Sequence, residues 1–220
     1  RDIEVILVGD VQVIRKSLDD IGPPAGTRLA VHHAPEVIAM DESPGKAVRR
    51  KPNSSMCQAV TLAARREADA VVSPGNTGAV VAAAMLHDMG ILAGVKRPGI
   101  AVTTRAPDGG PPTTIIDCGA TLDCKAVHLC QFAVMASIYQ SHVFGTSNPT
   151  VGVLSVGEEA AKGSPLVKET AGMLGKSKLN FIGNVEGRDC FRHTCNVVVC
   201  DGFVGNAILK AGEAVGETFL

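Results

Sequence analysis

The chain has 220 residues, 45% of them hydrophobic, enough to bury one sizeable core or two small ones sharing a cleft. Its 21 basic and 22 acidic residues give a formal charge of -1 with no run of five like charges, which argues against a nucleic-acid partner. The longest apolar stretch, residues 79–86, is far below the ~20 residues that cross a bilayer, and Arg1-Asp2-Ile3-Glu4 is no secretion signal.

The seven cysteines are an odd number and none is spaced for a zinc ribbon, so a reducing cytoplasm fits them better than a disulfide framework. Aromatics make up only 3% and Trp is absent, while 24 residues are glycine. The interior must therefore be packed from Val, Ile, Leu and Ala with close backbone approaches.

In chain order, residues 5–8 read as a buried strand, followed by a helix from Val11. Residues 42–53 read as a polar connection, and a helix follows from Ser55. Residues 70–72 form the next expected strand, leading into a helix from Thr77. Residues 99–102 and 114–116 are two further strands, joined by a Pro- and Gly-rich loop over 105–112. Residues 123–139 carry apolar side chains nearly all round a helix, which predicts that it is wholly buried, in the core or in a subunit interface. The strand at 151–154, a helix from Ser164, and strands at 181–182 and 197–199 complete the pattern. The last helix runs from Phe203, with Val204, Ile208, Ala211, Val215 and Phe219 in one stripe. Strand-then-helix alternation predicts the α/β class: a mainly parallel sheet with helices on both faces, in a single region over 1–220. The helix still running at Leu220 and the strand starting near residue 1 suggest a fragment.

Three strand ends run straight into glycine and small polar residues: Ser73-Pro74-Gly75-Asn76-Thr77-Gly78, Asp117-Cys118-Gly119-Ala120 and Asp201-Gly202-Phe203-Val204-Gly205-Asn206. In a parallel sheet such loops share one edge, where free N–H groups at helix starts favour an anion, phosphate being the simplest. For any one loop, glycine serving only a tight turn is an equal account. A fourth segment, from Ser155 to Gly163, brings Lys162 to the same edge. Spacing alone favours an exposed Lys162 paired with Glu158 on a short helix. The adjacent acids Glu158 and Glu159 point apart on a helix and make a poor magnesium site. Gly175-Lys176-Ser177 lacks the rest of a phosphate-binding loop. Cys124 and His128, one turn apart, are explained by a buried thiol beside a hydrogen-bonded imidazole.

Taken with Gly157-Glu158-Glu159, Lys162-Gly163, Phe181-Ile182-Gly183-Asn184 and Glu186-Gly187-Arg188-Asp189, these loops resemble the phosphate acyltransferase (PlsX) family, in order and over essentially the whole chain. The family's opening glycine-rich strand and its C-terminal region have no counterpart in the chain. Pro74 stands where the family has alanine, Ser155 where it has asparagine, and the segment from Cys190 to Cys195 is atypical.

The resemblance implies a three-layer fold similar to the phosphate acetyltransferase and isocitrate dehydrogenase group. It implies an acyl-acyl carrier protein donor, inorganic phosphate as acceptor and acyl phosphate as product for phospholipid synthesis. It further implies a homodimer at the membrane, where a glycerol-phosphate acyltransferase is a partner, and neither cofactor nor metal. The chemistry needs an anion held against a thioester carbonyl. Lys162 and Asn206 are the expected catalytic residues, with phosphate on the Gly75-Asn76-Thr77-Gly78 turn and Lys162. Oxyanion or phosphate contacts fall to the Gly205-Asn206 turn, Gly119 and Asp201 are further substrate-binding residues, and Glu186 and Arg188 either organise the cleft or form a structural ion pair. Asn76, Lys162 and Asn206 are expected within reach of one anion. The alternatives are a phosphate acetyltransferase-like enzyme using acyl coenzyme A, and a non-catalytic scaffold that binds acyl carrier protein.

Overall fold

The structure, a computed structural model, describes residues 3–23, 26, 28–87, 89–105 and 109–219. The chain divides into two compact units, Arg1–Leu92 and Ala93–Leu220, where pattern alone suggests one region.

In the first unit, β1 (Glu4–Gly9) and β2 (Arg28–His33) pair in parallel, with α1 (Val11–Ile21) as their crossover. Asp10 starts α1 because its carboxylate accepts the N–H groups of Gln12 and Val13, two of the donors a helix start leaves unpaired. Helices α2 (Pro44–Arg50), α3 (Ser55–Ala64) and α4 (Thr77–Leu86) enclose a core of Val48, Met56, Cys57, Val60, Ala79 and Ala83. The expected polar connection over 42–53 is thus partly helix α2, since Pro44 favours the first turn and Ala47 and Val48 supply a buried side. Residues 70–72 are not a strand: Val72 is 94% exposed and no ladder partner occurs among the described residues. β-Branched side chains favour a strand only where a neighbouring edge and a covered face exist.

The second unit contains β3 (Ala101–Thr104), β4 (Thr113–Ile116), α5 (Ala126–Phe144), β5 (Thr150–Leu154), α6 (Pro165–Leu174), β6 (Asn180–Val185), α7 (Asp189–Arg192), β7 (Val197–Val199) and α8 (Gly202–Phe219). Its sheet has the order β3-β4-β7-β5-β6, parallel except for β3, which runs antiparallel to β4. The expected loop over 105–112 lies partly outside the described residues. Side chains alternate across the sheet. Val197 and Val199 join Ile116, Leu129, Phe132 and Leu174 in the core beneath α5 and α6. Val198 and Cys200 join Ile115, Val185 and Cys190 in the opposite core, against which Ile208 and Leu209 of α8 pack. This is the α/β arrangement expected, a mostly parallel sheet with helices on both faces.

Two helices leave part of their apolar surface uncovered within the chain. α5 buries Leu129, Phe132, Ala133 and Ala136 but leaves Val134 and Ile138 45% and 55% exposed, so within the chain it is not wholly buried. In the α8 stripe, Ile208 reaches the core while Val204 and Val215 stay exposed, and the Phe219 side chain lies outside the described residues. No helix among the described residues is long and apolar enough to cross a membrane.

Candidate active site

In the second unit, the parallel strands β4, β7, β5 and β6 deliver their C-terminal ends to one edge. Asp117, fully buried at the end of β4, organises the first loop. One carboxylate oxygen accepts the N–H groups of Ile100 and Ala120 at 2.9 and 3.0 Å, and the other accepts that of Thr121 at 2.7 Å. This wraps the chain around the carboxylate and places Gly119 at φ +118, where only glycine is unstrained. The Gly119 N–H has no hydrogen-bond partner among the described residues.

The helix α8 begins directly against this loop. A Cβ on Gly205 would overlap the Asp117 carbonyl oxygen, and one on Gly202 would stand 2.7 Å from Asp117 Oδ2. These glycines therefore serve close packing. The N–H groups of Phe203 and Val204 donate to Asp201 Oδ1, Gly202 N–H donates to Thr121 O, and Gly205 N–H donates to Asp201 O. The expected anion contact from the Gly205 backbone is thus not offered, because the helix start is already capped. The exposed Asn206 side chain has no partner among the described residues and lies over Gly119, within 3.8 Å of a Cβ built there. Gly119 N–H and the Asn206 side-chain amide are thus neighbouring groups, both unpartnered among the described residues.

The segment after β5 is a tight loop rather than a short helix. Buried Asn184 holds it, donating to Glu159 O at 2.8 Å and to Lys162 O at 3.4 Å. Glu158 pairs with Arg188 at 2.9 Å, and Arg188 also meets Glu186 at 3.3 Å. The two carboxylates hold the Arg188 guanidinium pKa above its ordinary value, led by the hydrogen bond Arg188 donates to Glu158. The Lys162–Glu158 pair that spacing favours is not formed. The exposed Lys162 ammonium has no partner among the described residues. Asp189 closes the next turn by accepting Glu186 N–H at 2.7 Å.

Beside these loops lies a cavity of about 320 Å³. Its walls are Leu154 at the end of β5 and Val156 just after it, Leu166 and Val167 of α6, and Val204 and Ile208 of α8, with Ser155 and Asp201 among its few polar groups.

In the first unit, Asn76 caps α4: its side-chain oxygen accepts Ala79 N–H, and its amide nitrogen donates to Met40 O and Glu42 O. Its side chain builds the turn. The free donors there are the N–H groups of Thr77 and Gly78, unpartnered among the described residues. A Cβ on Gly75 would approach Met56 Cε at 3.1 Å, and one on Gly78 would stand 2.8 Å from Pro44 Cγ, so both glycines admit close neighbours.

A family model described as fatty acid synthesis protein matches residues 1–220. The chain belongs to this family. Among its curated relatives, the phosphate acyltransferase of Desulforamulus reducens is 45% identical over 218 residues, covering 99% of this chain and 64% of the relative. That of Myxococcus xanthus is 47% identical over 213 residues, covering 97% and 60%. The chain thus spans under two thirds of the length of these relatives. Among solved structures, a phosphotransacetylase from Streptococcus pyogenes aligns over 97% of this chain and 74% of its own, with TM-score 0.59 and 19% identity. A branched-chain phosphotransacylase from Enterococcus faecalis aligns over 94% and 83%, with TM-score 0.52 and 14% identity. At such identities they establish likeness of fold.

The thiols of this fatty acid synthesis family member are held in the neutral form. Burial pushes Cys118 and Cys195 up to about 11 and Cys190 up to about 12, and it raises Cys200 further. Cys124 donates to Thr121 O, and burial holds it up at about 11. His128 accepts Lys125 N–H through Nδ1, and its pKa is lowered, chiefly by burial. Both groups of this pair belong to local capping. Sequence reasoning did not single out the anchoring roles of Asn184 and Asp189, although both lie in the quoted motifs. It gave no role to Leu166 and Val167 of the cavity wall, which carry no local signal of one.

Proposed function

We propose that the chain carries the catalytic part of an acyltransferase that moves a fatty acyl group from acyl carrier protein onto inorganic phosphate. The observation that carries this reading is the placing of unpaired polar donors, Gly119 N–H, the Asn206 amide and the Lys162 ammonium, on the strand-end edge that also bears an apolar cavity. The names of the curated relatives support it.

Hydrogen phosphate is already an anion, so no nucleophile has to be generated. A phosphate oxygen adds to the thioester carbonyl, the C–S bond breaks, and the departing thiolate takes the proton that the phosphate brought. Acyl phosphate and free carrier thiol result. In this scheme Lys162 holds the phosphate, while Gly119 N–H and Asn206 stabilise the oxyanion. Asp201 sets the start of α8, and Glu186 and Arg188 brace the loop through Glu158. The neutral buried thiols take no acyl group. In the first unit, the Thr77 and Gly78 N–H groups are a phosphate-binding candidate in their own right. The proposal extends to a cytoplasmic homodimer, with the exposed Val134 and Ile138 of α5 as its apolar contact, working at the membrane surface. There a glycerol-phosphate acyltransferase would consume the product in phospholipid synthesis.

The test is acyl phosphate formation from orthophosphate with matched acyl carrier protein and acyl coenzyme A donors. Preference for the carrier protein is expected. Lys162→Ala should lower turnover or phosphate affinity by at least about tenfold, since losing a hydrogen bond to a charged group costs ~1.5 to 3 kcal/mol. Preference for the coenzyme would replace the donor assigned here. Lys162→Ala within about twofold at an unchanged melting temperature would make Lys162 a solvated surface residue.

A further inference from the structure

We propose that the 320 Å³ cavity between α6, α8 and the end of β5 receives the fatty acyl chain of the donor, with the Ser155 hydroxyl at its polar end. This rests on the acyl-transfer reading above and adds where the chain lies. The cavity has the volume of a small-molecule site. Its walls come from three separate elements, and Leu129 of α5 adds a buried contact. Among the described residues no lysine or arginine lines it, so nothing there suits the phosphates of a nucleotide carrier, and its few polar side chains leave the amides of a pantetheine arm poorly matched. An alkyl chain asks for none of these.

Two further features fit a linear apolar guest. Gly163 stands at φ +100, and a Cβ there would lie 2.7 Å from Val167 Cγ1 and 2.9 Å from Ser155 Oγ, so the lining turns inward only because this residue is glycine. Ser155 Oγ is buried and without a hydrogen-bond partner among the described residues. A hydroxyl left this way gains a partner when a thioester carbonyl reaches it. The chain would then run away from the strand ends over Leu166, Val167, Val204 and Ile208, replacing water on apolar walls.

The experiment is titration of the protein with alkylphosphonates from methyl to hexadecyl, below their aggregation threshold, followed by calorimetry. Affinity should rise by up to about fourfold per methylene until the cavity is filled, and then level off. Val167→Phe on α6 and Val204→Phe on α8 each fill the cavity from a different wall. Each should lower the ratio of long-chain to methylphosphonate affinity by at least about tenfold. An affinity independent of chain length in the unmodified protein, measurable whether or not either variant folds, would overturn the assignment. So would well-folded variants that keep the long-chain preference. If long alkylphosphonates bind as expected but no acyl phosphate forms, the acyl-transfer reading fails and with it the donor, while the cavity stands as an alkyl-chain site.

Discussion

Replacing Asp117 by alanine tests how the strand-end edge is built. The carboxylate is fully buried and accepts three backbone N–H groups, from Ile100, Ala120 and Thr121, at 2.9, 3.0 and 2.7 Å. Alanine removes every acceptor at once. A buried donor left unpaired costs about 1–3 kcal/mol, and two of these three are only partly buried. The lower end for each gives at least about 3 kcal/mol, or about 6–12 °C in melting temperature for a protein of this size. Asp117→Asn should fall in between, since its single carbonyl oxygen can still accept the Ile100 and Ala120 N–H groups but leaves that of Thr121 facing an amide donor. The measurements are calorimetric melting of all three proteins and their acyl phosphate formation. Because Gly119 and the start of α8 both rest on this carboxylate, activity should fall further than the fraction unfolded accounts for. A melting temperature within about 2 °C for the alanine variant would refute the view that this carboxylate organises the edge.

Gly205→Ala should destabilise by about 1–3 kcal/mol, because the new methyl meets the Asp117 carbonyl oxygen and Cys200 Sγ. Gly172→Ala, with open space at a position inside α6, should instead stabilise by up to about 1 kcal/mol, and paired melting curves check both. Cys190, pushed up to about 12, should be alkylated in the native protein at pH 9 far more slowly than a free thiol, read by mass spectrometry. Since the raised thiol pKa values mean that the folded state keeps protons the unfolded state loses, their stabilisation is full below about pH 9. It fades as pH rises through about 11 to 12, so the melting temperature should fall over that window.

The sheet was legible because its signal is local and redundant. Residues 151–154 and 197–199 are nearly continuous apolar runs, as strands covered on both faces must be, and each is followed by a helix start with a capping residue, Ser164 or Asp201. Residues 70–72 carry the same β-branched signal, but a strand also needs a neighbour, and that requirement is written elsewhere in the chain. The helix α2 was hidden for the opposite reason. Its seven residues hold Pro, Gly and three basic side chains, and its formation rests on burying Ala47 and Val48 against a core assembled from distant residues. Exposure along α5 was equally out of reach, since periodicity shows that Val134 and Ile138 are apolar but not which side of the helix meets the sheet.

At the candidate site, glycine told the truth about place and misled about purpose. The Gly-rich segments after β4 and β7 do meet at one edge of the second unit's sheet, whereas residues 73–78 of the first unit follow no strand. Gly202 and Gly205 are there so that α8 can lie against Asp117, and the N–H groups at its start are capped by Asp201 and Thr121. A sequence shows that a backbone can come close; it does not show whether the neighbour is a phosphate or another stretch of the same chain. Which donors stay free depends on pairings across long separations, such as Arg188 drawing Glu158 away from Lys162 and Asp117 taking the donors around Gly119. In the proposed function those pairings shift anion binding from the helix start, where spacing puts it, to Gly119, Asn206 and Lys162. They also set the order in which variants should matter: loss of Asn206 or Lys162 should reach the chemistry directly, whereas loss of Gly205 should reach it only through the fold.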